Sequence, residues 1–393
     1  MIQRPIYEVN LYLDGVLIGD CRVIAENLNY TRRRTRFGSD SIDFNLNDVV
    51  FDEWLSQRNY TLTEVLRPMA LECQLTRNGI DIVGGFLATM PSYSPLQSSA
   101  TLAMHFDGYL NLLAGVYIRD TSTNLPLGSV SGSASTIIED LITLANRISG
   151  DAGKSYGLSS GTIEVLPSIT QEFDNYKTVK EWICERCDNI SGAGPFEVYF
   201  HADKTYDIIA DSNFGTVISD WVAYYPTILN GASVTTIQAS ETEGFASAII
   251  GLGAGDVSSV AEENTAIFQF SQNATSVSDY GYFETLYQDS SISTPSVLLN
   301  NMNAKLKISS DPEWRPEITL HGKQVSPMPY GNNKIWVGDT ITIQNSIDLT
   351  GMTNGQFRVN ELKVDIGTGG DETISPTLER VVLNGRKSPS DES

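Results

Sequence analysis

The chain has 393 residues, 41% apolar and 19% charged, which suits a folded protein able to bury a sizeable core without cross-links. Its formal net charge of −22 argues against stable binding to nucleic acid or anionic lipid. Four cysteines (Cys21, Cys73, Cys184, Cys187) are too few for a disulfide scaffold, and no run of about 18 apolar residues offers a membrane span.

The first residues, Met1–Asn10, are polar and lack the apolar core of a secretory signal, so the cysteines are expected to be reduced, as in a cytoplasm. Strand and hairpin signals follow. Residues 7–13 and 16–24 flank Asp14-Gly15, and residues 70–75 and 80–87 flank Asn78-Gly79, both dipeptides suited to the two positive-φ positions of a type I′ turn. Asn230-Gly231, Asn354-Gly355 and Asn384-Gly385 carry the same signal. A short helix is expected over 51–58 and a further strand over 99–106. Residues 1–115 thus read as an antiparallel barrel or a strongly curved sheet. Thr31–Arg36 is the one basic cluster, either a solvated loop or an electrostatic contact with an acidic neighbouring subunit.

Residues 116–215 change character. Thr136-Ile-Ile-Glu139 and Thr178-Val-Lys-Glu181 have capping-box spacing. Ile137, Ile138, Leu141, Ile142, Ala145 and Ile148 follow the first box at helical period. Val179, Ile183, Cys187 and Ile190 follow the second, with Gly192 as a stop. Strands over 196–200 and 206–210, joined at 202–204, complete a small α+β module of helix, linker, helix and hairpin.

Residues 216–385 return to β, with candidate strands at 235–238, 246–252, 266–270, 317–321, 334–337, 340–344, 357–365 and 380–383. One amphipathic helix is expected over 296–308, through Val297, Leu298, Leu299, Met302 and Leu306. The polar end, 386–393, is expected to be disordered. Between Lys204 and Lys305 there is no Lys or Arg, while Asp and Glu recur. That stretch either confers solubility or forms an acidic wall past which DNA slides without sticking.

No catalytic, cofactor-binding or metal-binding residues are expected. His105, His201 and His321 each stand alone in a strand or strand end. Cys184 and Cys187 fall inside a helix, without the two further ligands of a structural zinc site. Gly251–Gly255 reads as a strand end or tight turn. A glycosidase would need one carboxyl group of raised pKa facing another across about 5–9 Å, which sequence cannot reveal. The nearest sugar-stacking candidate is Trp221 with Tyr224 and Tyr225, which core or interface packing explains equally well.

Taken in order, these segments resemble the bacteriophage tail-hub, or tail-associated, proteins, whose fold is shared by the base of contractile-injection spikes. The likeness lies in the hairpin 71–87 leading into Gly108–Gly115, the helix 178–189 leading into the hairpin 196–209, and the run Phe245–Gly253. It continues through Tyr280–Glu284, the helix near residue 300, and Ile335–Ile343 with its Gly338-Asp339 turn. It implies a mainly β fold with an α+β insertion: two tube-type β-barrel domains (1–115 and 216–385) around a helix-hairpin module (116–215), before a tail (386–393).

The resemblance further implies a virion structural protein, assembled in the host cytoplasm, that closes the tail tube at the tip and forms part of the channel for DNA. Three copies would form a pseudo-sixfold ring, with tail-tube and distal tail proteins above and tape-measure, tip or receptor-binding proteins as other partners. Glu241, Glu243, Asp256, Glu262 and Glu263 would then line the lumen. The competing readings are a receptor- or carbohydrate-binding tail protein and a cell-wall glycoside hydrolase.

Overall fold

The computed structural model describes residues 4–91, 100–151, 155–173, 176–187, 195–225, 232–233, 237–241, 246–255, 265–290, 292–310, 314–345, 355–367 and 369–381. They divide into two compact units, residues 1–237 with 317–393 and residues 238–316.

The first unit begins with β1 (Tyr7–Leu13), β2 (Val16–Asp20), β3 (Glu26–Arg33) and β4 (Ser41–Asn47). Helices α1 (Asp48–Ser56) and α2 (Leu62–Val65) precede β5 (Leu71–Arg77), β6 (Ile80–Leu87) and β7 (Thr101–Gly108). Both predicted hairpins form. Asp14 and Gly15 have φ of 49° and 80°, and Asn78 and Gly79 have 53° and 74°, as the type I′ geometry requires. The first helix starts three residues before its expected position because Asn47 caps it, its side chain accepting from the Val49 and Val50 amides. Helix α2 was not anticipated, although Thr61 and Glu64 close a capping box on it.

The inserted module adds β8 (Gly128–Ser133), α3 (Ala134–Asp151), β9 (Ser159–Ile163), β10 (Ser168–Phe173), α4 (Val179–Arg186), β11 (Phe196–Phe200) and β12 (Thr205–Ala210). Its core sets Ile137, Ile138, Leu141 and Ile142 of α3 with Val179, Trp182 and Ile183 of α4 and Phe196, Val198 and Ile208 of the hairpin. Phe86, Tyr109, Leu110, Leu112 and Leu113 share that core. The capping box at Thr178 and Glu181 is present. At α3 the cap shifts one turn earlier. The Ser133 hydroxyl accepts from the Thr136 amide at 3.1 Å, so Thr136 lies inside the helix rather than at its start.

Short strands β13 (Ala223–Tyr225) and β14 (Ala232–Ser233) follow, then β15 (Ile237–Glu241). The second unit holds β16 (Ala248–Leu252), β17 (Phe268–Gln272), α5 (Ala274–Tyr280), β18 (Glu284–Gln288) and α6 (Pro295–Ser309). Strand β16 lies between antiparallel β17 and parallel β18. Helix α6 packs Leu298, Met302 and Leu306 against Ile249. Gly251 makes room for Met302, whose Sδ would lie 2.1 Å from an added Cβ.

The chain closes with β19 (Trp314–Ile318), β20 (Leu320–His321), β21 (Thr340–Asn345), β22 (Gly355–Ile366) and β23 (Glu372–Arg380). Of the strand expected at 380–383, only Arg380 is in a strand, as the last residue of β23; Val381 lies past it, and 382–383 lie outside the described residues. The buried face of β23 is Glu372, Ile374, Pro376 and Leu378, and the Glu and Pro there break the apolar alternation that a sequence reading follows.

The expectation of two β-barrels is not met. Thirteen strands form one sheet in the order β14-β13-β21-β22-β3-β4-β7-β6-β5-β1-β2, with β23 paired to β22 and β20. The two ends of this path do not pair, and among the described residues no sheet closes on itself. The physical reason is β3. It pairs with β4 on one side and β22 on the other, so the early and late strands extend one another instead of each closing separately. One core follows from this continuity, running from Val9 and Leu11 through Tyr30 and Phe44 to Trp336, Phe357 and Leu378. The fold is mixed α/β around large open sheets.

Candidate functional site

The basic cluster Thr31–Arg36 is neither a solvated loop nor a contact awaiting another subunit. It forms the end of β3 and the 3-10 turn Thr35–Phe37 that follows. Strand periodicity turns Leu28, Tyr30, Arg32 and Arg34 to the buried side, with exposures of 1%, 0%, 1% and 5%. The acidic partners lie in the same chain.

Arg32 meets Asp40 at 2.8 Å and donates to the Phe200 carbonyl at 3.1 Å. Its guanidinium lies 4.4 Å from the Tyr199 ring centroid and 5.6 Å from that of Trp336. Arg33 pairs with Glu361 of β22 at 2.6 Å. Arg34 reaches three segments at once: Glu197 of β11 at 2.6 Å, Asn360 of β22 at 3.1 Å, and Asp211 just after β12. Arg358 holds the other Asp211 oxygen at 2.6 Å, and Arg36 pairs with Glu379 of β23.

Glu197, 2% exposed, uses both oxygens, one for Arg34 and the other for the Thr35 amide at 2.8 Å. Thr35 also exchanges hydrogen bonds with Val198, and the Cys184 thiol donates to the Thr35 carbonyl at 3.2 Å. Burial works against the Arg34 charge, but Glu197 and Asp211 outweigh it, so its pKa is raised. The same balance, with Asp40 and Tyr199 as partners, raises that of Arg32.

Five guanidinium groups thus face five carboxylates where β3, β22 and the module meet. The arrangement can do no proton chemistry near neutral pH, because arginine stays charged. What it can do is mechanical. Multidentate, desolvated ion pairs fix the module's hairpin in one register on the sheet.

A second anchor sits beside it. Asp339, 1% exposed, accepts from the Thr216 amide at 2.9 Å, the Thr216 hydroxyl at 3.0 Å and the Trp336 amide at 2.9 Å, and pairs with Lys334 at 3.3 Å. The turn before it needs glycine. Gly338 has φ of 89°, and an added Cβ would lie 2.5 Å from the Phe214 ring.

Between these anchors opens a cleft of about 690 Å³, walled by Asp81, Tyr199, His201, Phe214, Tyr330 and Trp336. His201 meets Asp207 at 2.8 Å, and Asp207 also accepts from the Thr162 amide at 2.6 Å. Burial and then the Asp203 charge raise the Asp81 pKa. Two of the three histidines are therefore not alone. His105 lies between Asp43 at 2.5 Å and Asp107 at 3.3 Å.

Of the five expected lumen residues, Glu241 ends β15 and is described in its backbone only. Glu243, Asp256, Glu262 and Glu263 lie outside the described residues. Other acids of that stretch have internal partners: Asp207 with His201, Asp211 with Arg34 and Arg358, and Asp220 with the Asn333 amide at 2.6 Å. The counter-charges of Asp211, Arg34 and Arg358, come from distant segments, which is why Asp211 looks uncompensated in sequence.

Cys187 is buried and Cys184 half-buried, as expected of core and half-core positions. Among the described residues no group of His, Cys, Asp or Glu has a metal-binding arrangement. Trp221 is packed in the core, its indole donating to the Lys334 carbonyl at 2.8 Å. The residues missed in sequence are Glu197, Asp211, Glu361 and Glu379. Arginines alternating with Tyr30 in a strand-forming segment were the available signal that buried acids must face them.

No protein-family model matches the chain, and no curated protein does. Solved structures do. The 43 kDa tail protein of prophage MuSo2 from Shewanella oneidensis superposes with a TM-score of 0.62 at 10% identity, covering 95% of this chain and 98% of the other. The tail protein from Neisseria meningitidis MC58 gives 0.59 at 11% identity, with 95% and 96% covered. Prophage tail protein gp18 from Listeria monocytogenes EGD-e gives 0.52 at 11% identity, with 98% and 96% covered. At such identities the likeness is one of fold, and it spans nearly the whole of each chain.

Proposed function

We propose that this chain is a structural protein of a phage tail tip, the hub that closes the tail tube and forms part of the channel through which DNA leaves. The observation that carries the reading is the near-complete mutual coverage with three tail proteins, two of them from prophages, which a shared small domain would not produce. The arginine joint suits the role, because a hub must hold one shape while neighbours assemble on it. The working form is a homotrimer, with tail-tube and distal tail proteins above and tape-measure and tip or receptor-binding proteins as the remaining contacts. Assembly takes place in the host cytoplasm, and the mature location is the virion. Glu241, Glu243, Asp256, Glu262 and Glu263 face the lumen and keep DNA from adhering to its wall.

An antibody raised against the purified chain tests this on phage particles from the strain that encodes it. Gold label in electron micrographs is expected at the tail end far from the head. Label confined to the head or to side fibres, or its absence from tailed particles, would contradict the reading.

A further inference from the structure

The second unit carries a sheet, β17-β16-β18, with apolar side chains on both faces. On one face, Ile249 of β16 packs with Leu298 and Met302 of α6, and Gly251 makes room for Met302. Strand alternation then turns Ile250 and Leu252 to the opposite face. The register sets Phe270 and Leu286 beside Ile250, and Phe268 beside Leu252. This second face is open. Phe268, Leu286 and Phe270 are 54%, 52% and 42% exposed, and Ile250 and Leu252 are half-buried.

Single exposed apolar side chains are ordinary, but neighbouring aromatics on one sheet face mark a contact surface. Strand β16, Ala-Ile-Ile-Gly-Leu, is a continuous apolar run and pairs in parallel with β18. Both traits belong to strands covered on two sides, and α6 supplies one cover. The charge around the open face selects the other. All three strands lie between Lys204 and Lys305, where there is no Lys or Arg. Gln272, Glu284 and Gln288 bound the face, while Lys305 of α6 lies on the helix side, 5.6 Å from the centroid of the Tyr287 ring that pairs with Gly251. A second copy offering the same face would set acid against acid, and an anionic lipid surface would be repelled in the same way.

We propose that this face docks an amphipathic helix of a different protein, apolar on one side and rich in Lys or Arg along its flanks. A helix follows from the parallel pairing, because sheets of that kind are covered by helices, as α6 already covers the other face. Phe268, Phe270 and Leu286 anchor the apolar side of the partner. Glu284 meets its cations at the rim, and the surrounding absence of Lys and Arg steers a basic partner toward the face rather than a copy of this chain. The hub reading stands or falls separately, on ring formation.

The probes are a fluorescent helical peptide of Leu and Lys in heptad pattern and its counterpart with Glu at every Lys, titrated with the full chain by anisotropy at about 0.15 M salt. The Lys peptide is expected to bind saturably, and the Glu peptide roughly tenfold more weakly or worse. Phe268→Ser with Phe270→Ser should weaken the Lys peptide by roughly tenfold or more, and Leu286→Ser, on a different strand, by roughly threefold or more. Val16→Ser with Leu17→Ser, at positions 61% and 54% exposed on β2, should leave its binding unchanged. No saturable binding of the Lys peptide to the native chain would overturn the proposal. So would an affinity that the Phe268 and Phe270 changes leave unmoved, since that reports only general attraction to an acidic chain. A fall in the mass of the chain by light scattering on the same double change would make the occupant a second copy and would overturn it as well.

Discussion

Arg34→Met is expected to lower stability by about 3–5 kcal/mol, because it leaves the buried Glu197 carboxylate without its cation. The double change Arg34→Met with Glu197→Leu should recover most of that loss, since a packed apolar pair needs no counter-charge. Urea unfolding of the three proteins checks both statements, and a loss below about 1 kcal/mol for Arg34→Met would mean that water reaches the site. His105 provides a pH test. Burial opposes its charge, but Asp43 and Asp107 outweigh burial and raise its pKa. A raised folded-state value means that the protonated ring favours the fold. Its contribution is complete below the unfolded value of about 6.5 and is lost as pH rises through the folded value. An NMR titration should place the His105 midpoint above about 6.5, and His105→Gln should flatten the fall in stability on the alkaline side. At this scale the sequence was half legible. The alternation of Tyr30, Arg32 and Arg34 was visible, but their partners Glu197, Asp211 and Glu361 lie 163, 177 and 328 residues from Arg34, Arg34 and Arg33, beyond the reach of any local pattern.

Local chemistry set several elements well enough to be read directly. The turns at Asp14-Gly15 and Asn78-Gly79, the Thr178–Glu181 capping box and the buried stripe of α6 all rest on neighbours within about one turn or one hairpin. Thr178→Ala should therefore cost about 1 kcal/mol, seen as a lower unfolding midpoint with α4 otherwise intact. Gly338→Ala should cost considerably more. It forces a Cβ against Phe214 at a backbone angle that L-residues rarely adopt, and it disturbs the Asp339 anchor. If Gly338→Ala unfolds at the same denaturant concentration as the parent, the anchor does not hold the 334–339 segment. Elements were misplaced where a nearby residue competed. Ser133 caps α3 in place of Thr136, and Pro376 disguises β23.

Whether a sheet closes is decided by which edges meet, and alternation of buried and exposed residues carries no information about that. The early and late strands were each read as β, but nothing local shows that β3 would take β22 as a neighbour and merge them into one open sheet. The tail-hub resemblance drawn from segment order agrees with the fold shared with solved tail proteins, while its barrel description does not survive. For assembly, the path of described strands ends at β2 and β14, and sheet edges of this kind can pair with other chains. The most direct test of the hub account is the mass of the purified chain by light scattering across a concentration series, with negative-stain images of the same sample. The account predicts a trimer of about 129 kDa, three copies of the 43.0 kDa chain, forming rings with a central hole. A monomer at every concentration, with no rings either alone or after addition of tail-tube protein, would contradict it.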